Sequence, residues 1–431
     1  MTKTSAGEAS AAISDETPQA DRSSRSGPGW LLSAYTLGSG TAIGSLWAGA
    51  QFGYDLLWVQ PLAMLMGVIM LSGAAYFTLQ SDVSPYQRFK REICPAMALA
   101  WALTSLFASV IWHLPQYGLA FAALQGLAGF QETTLTRILV GGAILVVSTA
   151  ITWSYSRRGG VLLYEGMMKL LVWMTIVCVA VVVIASRVSW SEVAQGITSF
   201  RRPEGSTTVI FGLLGAAVGI NMTFLYPYAI RSKGWGKEDT RYAVGDLLKG
   251  MFVPYVLATG MMIIASAATL HASGILLDKS RITEMAGVFE PVFGSRLGPL
   301  LFNVGILAMP LGTITLHMLT SGFILSEMLG RKGRDWVWRL GTLIPAIGVL
   351  GVAYPLKGWL PVTASAICLI FLPVAYIGFA VLFWKEARKP DAVRVPARRP
   401  LFALMGVVIL VVTALAMLKT IGAIKALAQY F

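Results

Sequence analysis

The sequence predicts an all-α integral membrane protein, and three observations carry that prediction. Apolar residues make up 56% of the 431 and charged residues 13%, against about 25% charged in a soluble domain. The apolar residues gather in repeated runs of about 20, the length a helix needs to cross a bilayer. Lys and Arg fall between these runs in short clusters. Such a chain is short of groups to cover a water-facing surface, and in hydrocarbon its backbone polar groups must be satisfied within helices.

Eleven runs are predicted as spans, near residues 30–52, 56–80, 96–127, 135–155, 161–186, 207–230, 243–270, 298–327, 336–354, 360–384 and 401–427. The third and eighth are long, which permits tilt or an extension beyond the membrane. An odd number of spans puts the termini on opposite sides. With the N-terminus inside, 23 of the 34 Lys and Arg lie in inside segments and ten in outside segments, so the positive-inside rule predicts a cytoplasmic N-terminus and an external C-terminus in the cell membrane. Residues 1–28, rich in Ser, Thr, Ala, Asp and Glu and free of any apolar stretch, read as a disordered cytoplasmic tail and not as a signal peptide. Residues 29–431 then form a single transmembrane domain.

The net charge of +13 belongs to these loops, with the lipid bilayer as partner; no nucleic-acid partner is expected. Cys94, Cys178 and Cys368 lie far apart, as do His113, His271 and His317, so neither a disulfide framework nor a zinc site is implied. Gly38-Ser39-Gly40 followed by Gly44 is one residue too long for the dinucleotide fingerprint, and no Walker A, H-E-x-x-H or G-x-S-x-G motif occurs. The chain is expected to be a solute transporter with no cofactor, not an enzyme.

Two spans are interrupted in mid-membrane. The first reads Leu37-Gly38-Ser39-Gly40-Thr41-Ala42-Ile43-Gly44, and the sixth reads Gly215-Ala216-Ala217-Val218-Gly219-Ile220-Asn221-Met222-Thr223 with Pro227 a turn later. Glycine weakens a helix by roughly 1 kcal/mol relative to Ala, and an opened turn exposes amides and carbonyls. Breaks in corresponding spans of two halves point to a transport site between inverted repeats; glycines that only permit close helix packing are the competing explanation. A third interruption, Trp112-His113-Leu114-Pro115-Gln116-Tyr117-Gly118, offers His113 and Gln116 as candidate cavity-lining residues, because a mid-helix proline leaves a carbonyl unpaired.

From Gly27 to the last span the chain resembles the NRAMP (natural resistance-associated macrophage protein) family of divalent-metal transporters, within the amino acid–polyamine–organocation superfamily. The resemblance lies in Gly27-Pro28-Gly29 opening the first span and Ala48-Gly49-Ala50-Gln51-Phe52-Gly53-Tyr54 closing it, followed by Leu56-Leu57-Trp58-Val59. Arg157-Arg158 with Glu165, Leu213-Leu214-Gly215-Ala216 and Phe371-Leu372-Pro373 are similar to the fifth, sixth and tenth spans of that family. It implies a leucine-transporter-type fold, with spans 1–5 and 6–10 as inverted repeats plus an eleventh span, and a site at the two breaks.

The family's metal ligands do not carry over. Its Asp-Pro-Gly-Asn motif aligns with Gly38-Ser39-Gly40-Thr41, and its Met-Pro-His motif with Gly219-Ile220-Asn221. The carboxylates its third span uses in proton transfer fall at His113, Pro115 or Gln116. Mn²⁺ and Fe²⁺ sites draw on carboxylate, imidazole or thioether donors, whereas neutral oxygens suit a hard ion such as Mg²⁺ that keeps its waters. The resemblance thus implies divalent-cation transport with altered selectivity and without the usual proton coupling, through Gly38, Ser39, Gly40, Thr41, Gly219, Asn221 and Thr223; which residues hold the metal stays unknown. A second reading takes Gly38-Ser39-Gly40 as the glycine-rich break that amino-acid transporters of the same superfamily use to hold a carboxylate, with Trp47, Trp112, Tyr117, Phe224 and Tyr226 as an apolar wall. A third is a transport-inactive sensor or scaffold.

Overall fold

A computed structural model of the chain describes residues 27–156, 160–274, 290–330, 335–353, 359–388 and 398–428. The predicted tail, apart from Gly27 and Pro28, lies outside the described residues, as do Arg157 and Arg158. Among the described residues nine helices are long and apolar enough to cross a membrane. The other two predicted spans are present in pieces. The first consists of Pro28–Thr36 and Ser39–Phe52. The ninth consists of Asp335–Leu343 continued by a 3₁₀ stretch, Ile344–Val352.

The remaining spans are Val59–Leu79, Pro95–Ala128, Thr134–Ser154, Gly160–Ala185, Thr207–Ser232, Lys237–His271, Glu290–Met328, Leu360–Glu386 and Arg398–Ala428. The second span starts three residues later than predicted, because Gly53, at φ 57°, ends the first and 53–58 turn the chain. The eighth starts earlier because two helices join across a kink at Gly294, at φ 73°. The third runs unbroken through Pro115 as 34 residues, so the interruption expected there is a matter of side chains, not of backbone.

The core and the lipid face are separated by span. Spans two and six are enclosed by protein over 78% of their apolar windows, spans four and eleven over 17% and 22%. The outer spans turn large apolar side chains outward, Ile138, Ile184 and Leu410 among them, where a bilayer and not water must solvate them. Inside, the long third and eighth spans pack along each other, and the 3₁₀ stretch of the ninth lies against the third. Glycine permits that approach. A β-carbon at Gly348 or Gly351 would collide with His113 or with the backbone of Leu114.

One end of the first span is held by charge. Asp246 accepts hydrogen bonds from the Gly27 and Gly29 amides at 3.1 and 2.5 Å, which satisfies donors that a helix N-terminus leaves free and sets a carboxylate at the positive end of its dipole. Beside it, the Lys233 ammonium meets Glu165 at 2.7 Å, with both side chains almost fully buried. Removing one partner of a buried pair strands the other charge, at a cost of roughly 3–5 kcal/mol. Lys233→Met is therefore expected to lower the thermal midpoint strongly, and adding Glu165→Gln to recover part of the loss. An unchanged midpoint in the single variant would show that the pair does not hold this end together.

Candidate functional site

The two breaks are real interruptions of the helix ladder. At the first, Leu37 leaves the helical region and Gly38 is extended; the Gly38 amide turns back to the Thr36 carbonyl at 2.9 Å. At the sixth, Val218 and Gly219 are both extended before the helix resumes at Ile220. Each break leaves carbonyls at the end of one half-helix and amides at the start of the next without ladder partners.

Both breaks open on one cavity, together with the middle of spans three and eight. It is lined by Tyr35, Thr36, Gly38, Trp112, Gln116, Ala216, Gly219, Asn221, Met222, Thr313 and His317, and measures about 20 Å³. A single water needs about 10–15 Å³ on this measure, so the space suits a water or a small ion. Gln116, Asn221, Thr313 and His317 are all at most 3% exposed.

Gln116 closes the first break. Its Oε1 accepts from the Ser39 amide at 2.8 Å, so the positive end of the second half-helix is capped by a neutral carboxamide. Its Nε2 is buried without a partner. Asn221 mirrors this arrangement at the sixth break. Its Nδ2 donates to the Ser105 carbonyl at 3.1 Å and to Ser109 Oγ at 2.6 Å, while its Oδ1 has no partner. The two carboxamides thus bring one free donor and one free acceptor to the cavity. His317 Nδ1 lies 2.9 Å from the Tyr35 hydroxyl.

Of the predicted site residues, Gly38, Gly219, Asn221 and Gln116 line the cavity. Ser39 reaches it only through its amide bond to Gln116. Gly40 is a packing position, since a β-carbon there would strike Ser365 and Trp112. The Thr41 hydroxyl donates to the Thr36 carbonyl, and Thr223 Oγ1 accepts from Trp101 Nε1 while donating to the Ile220 carbonyl; both hydroxyls brace the breaks instead of facing the cavity. His113 is held between the Pro345 and Ile314 carbonyls, outside the lining, with its ring 5.5 Å from that of His317. The aromatic wall reduces to Trp112, because Phe224 packs on Trp101 at 4.4 Å and the Tyr226 hydroxyl is bonded to the Ala243 carbonyl.

Sequence reasoning missed Tyr35, Met222, Thr313 and His317. Thr313 and His317 stand four apart on one helix, a spacing that puts both on one face, and that signal was available. Met222 returns a thioether to the cavity three residues after the position where the motif alignment loses one. Among the described residues no group of three His, Cys, Asp or Glu side chains is placed to hold a metal ion.

The comparisons agree with this architecture. The divalent metal cation transporter MntH of Bradyrhizobium diazoefficiens is 26% identical over 382 residues, 84% of this chain and 82% of that protein. That of Brucella suis is 23% identical over 386 residues, 84% of this chain and 80% of the relative. Among solved structures, the Eremococcus coleocola manganese transporter in complex with an aromatic bis-isothiourea substituted compound superposes with a TM-score of 0.73 at 17% identity, covering 92% of this chain and 85% of that one. Mhp1, a nucleobase-cation-symport-1 family transporter, gives 0.62 at 18% identity, covering 96% and 95%. The leucine-transporter-type fold is therefore that of this chain. The profile of the Nramp family, described as natural resistance-associated macrophage protein-like, matches residues 29–421, and the chain belongs to that family.

Proposed function

We propose that this protein transports a divalent metal cation through the cavity at the two breaks, with a selectivity and a coupling that differ from those of relatives carrying an acidic ligand there. One observation carries the reading: the breaks converge on a single ion-sized cavity, and there Gln116 has capped the exposed amide while the Ala34 and Leu37 carbonyls of the first half-helix have lost their ladder amides and are met by the Thr313 hydroxyl. Capped amides and open carbonyls favour a cation over an anion. The same two facts count against a bound carboxylate or amino acid, which would need both the amide and a larger space. The relatives named as divalent metal cation transporters support the choice of cargo.

The lining contains an imidazole, a thioether, carboxamides and hydroxyls but no carboxylate. A divalent ion in such a site keeps part of its water shell, because no full negative charge replaces it. Saturable Mn²⁺ uptake into proteoliposomes at micromolar concentration is expected to be weak or absent. The substitution Gly38→Asp brings a β-carbon to 2.6 Å from Gln116 Nε2 and 3.0 Å from Thr313 Oγ1, so these flexible ends must shift to admit the carboxylate; combined with Gly219→Met, where a β-carbon meets nothing closer than 3.7 Å, it is expected to raise Mn²⁺ uptake over Mg²⁺. Strong Mn²⁺ uptake by the unmodified protein would overturn the altered selectivity.

The two glycines predict different outcomes. Gly40→Leu meets Ser365 and Trp112, so flux and thermal midpoint should fall together, as in an overpacked core. Gly219→Leu has room for its β-carbon and occupies the cavity side, so flux should fall with a smaller change in midpoint. Full flux in a stable Gly219→Leu protein would remove the site from the sixth-span break.

We also propose a cytoplasmic N-terminus and an external C-terminus, on the Lys/Arg asymmetry. Cysteines placed within residues 385–399 should resist an impermeant thiol reagent applied to intact cells, and ready labelling would invert the assignment.

A further inference from the structure

The first half-helix, Pro28–Thr36, lies in the seam between spans five and seven and packs on both. Its Gly27 end is level with Glu165 and Asp246, because a β-carbon at Gly27 would strike the Glu165 carboxylate and the Gly29 amide donates to Asp246. One turn further along, Trp30 has a lysine on each side of the seam. Lys169 of span five holds its ammonium 5.9 Å from the centroid of the Trp30 ring. Gly250 of span seven lets Trp30 come so close that a β-carbon there would lie 3.1 Å from Trp30 Cδ1, and the neighbouring Lys249 is exposed.

The charges of this seam do not balance. Glu165 is paired with Lys233, and Asp246 is engaged by two amides. Neither Lys169 nor Lys249 makes an ion pair among the described residues. Three ammoniums thus stand beside two carboxylates. A lysine within a span is costly unless its apolar stem carries the charge toward the interface and an anion meets it there. The surface beside the two lysines is apolar and outward: Leu170, Trp173, Leu248 and Val253 are exposed, and a β-carbon at Gly166 would meet open space. The Trp30 indole N–H has no partner among the described residues and is not enclosed. It sits next to Cδ1, on the ring edge that faces span seven.

We propose that an anionic phospholipid binds this seam, with its phosphate at Lys169, Lys249 and the Trp30 indole N–H and its acyl chains along the outer faces of spans five and seven. Phosphate is the anion that a bilayer supplies near the end of a span, and basic groups between membrane helices are suited to hold it. Charged donors make the strong bonds to its oxygens, and a tryptophan at this level is what an interfacial position favours. A zwitterionic lipid brings its own cation next to the phosphate, so the surplus positive charge selects a headgroup of net negative charge. The first half-helix also supplies Tyr35 and Thr36 to the cavity of the two breaks. A lipid that fastens this half-helix to spans five and seven therefore acts on the cavity without entering it. That consequence rests on the transport reading above; the binding does not.

The test uses the purified full-length protein in phosphatidylcholine nanodiscs with increasing phosphatidylglycerol at constant ionic strength. A ligand of the folded state raises the thermal midpoint by mass action, so a saturable rise with phosphatidylglycerol is expected. Lys169→Gln combined with Lys249→Gln should weaken the apparent affinity at least tenfold. Lys90→Gln, at an exposed lysine between spans two and three, should leave it unchanged. Equal midpoints across the lipid series overturn the proposal on the unmodified protein, even if the double variant does not fold. A full lipid response in a folded double variant gives the two lysines a structural role only and overturns it as well. So does an equal loss of response in Lys90→Gln, which would make the effect a diffuse attraction between basic loops and an anionic surface. The same rise with soluble glycerol 3-phosphate in pure phosphatidylcholine would assign the donors to a free phosphate and not to a lipid. A lysine-dependent lipid response in a protein without metal flux keeps the site and removes only its consequence for transport.

Discussion

Everything near the centre of this molecule follows from interrupting helices where no water can repair the interruption. A broken turn in hydrocarbon releases amides and carbonyls whose desolvation must be met by protein groups or by cargo. Here the amide side of the first break is met by Gln116, whereas two of the carbonyls meet only Thr313. That asymmetry leaves the break beside the cavity with more negative than positive dipole ends. The scaffold around it, the third and eighth spans packed along each other and the ninth pressed onto the third through Gly348 and Gly351, serves to hold Gln116, Asn221's partners and Thr313 in register.

Much of this was legible in the sequence. The eleven apolar runs, both breaks and the family emerged from hydropathy, glycine placement and a few motifs, because lipid forces backbone pairing into helices and leaves little else to read. Gln116 and Asn221 were identified because polar carboxamides in apolar runs stand out. Thr41 and Thr223 were misplaced in the cavity, because spacing along a broken helix does not fix which way a hydroxyl turns once its backbone neighbours become acceptors. His317 and Thr313 were passed over for a different reason. Their four-residue spacing puts them on one face of the eighth span, far from its kink at Gly294, but does not say what that face packs against.

Gly40 shows the limits of reading a motif by its glycines. Three glycines in the Gly38–Gly44 segment looked alike, yet they answer to different demands. Gly38 is extended at the break, Gly40 admits Trp112 and Ser365, and Gly44 admits Leu213. Packing and site formation are thus adjacent residues' tasks within one short segment, so neither explanation of the segment as a whole is complete.

The absence of a carboxylate changes what such a site can do. A site with an acidic ligand offsets part of a divalent ion's lost hydration with a full charge. Here the negative potential comes from carbonyl dipoles at half-helix ends, worth a fraction of a charge, together with an imidazole and a thioether. Binding through such groups is weaker, and an ion that keeps some water is held less by its softness than by fit. Weak binding is compatible with transport, since an ion must leave as readily as it enters.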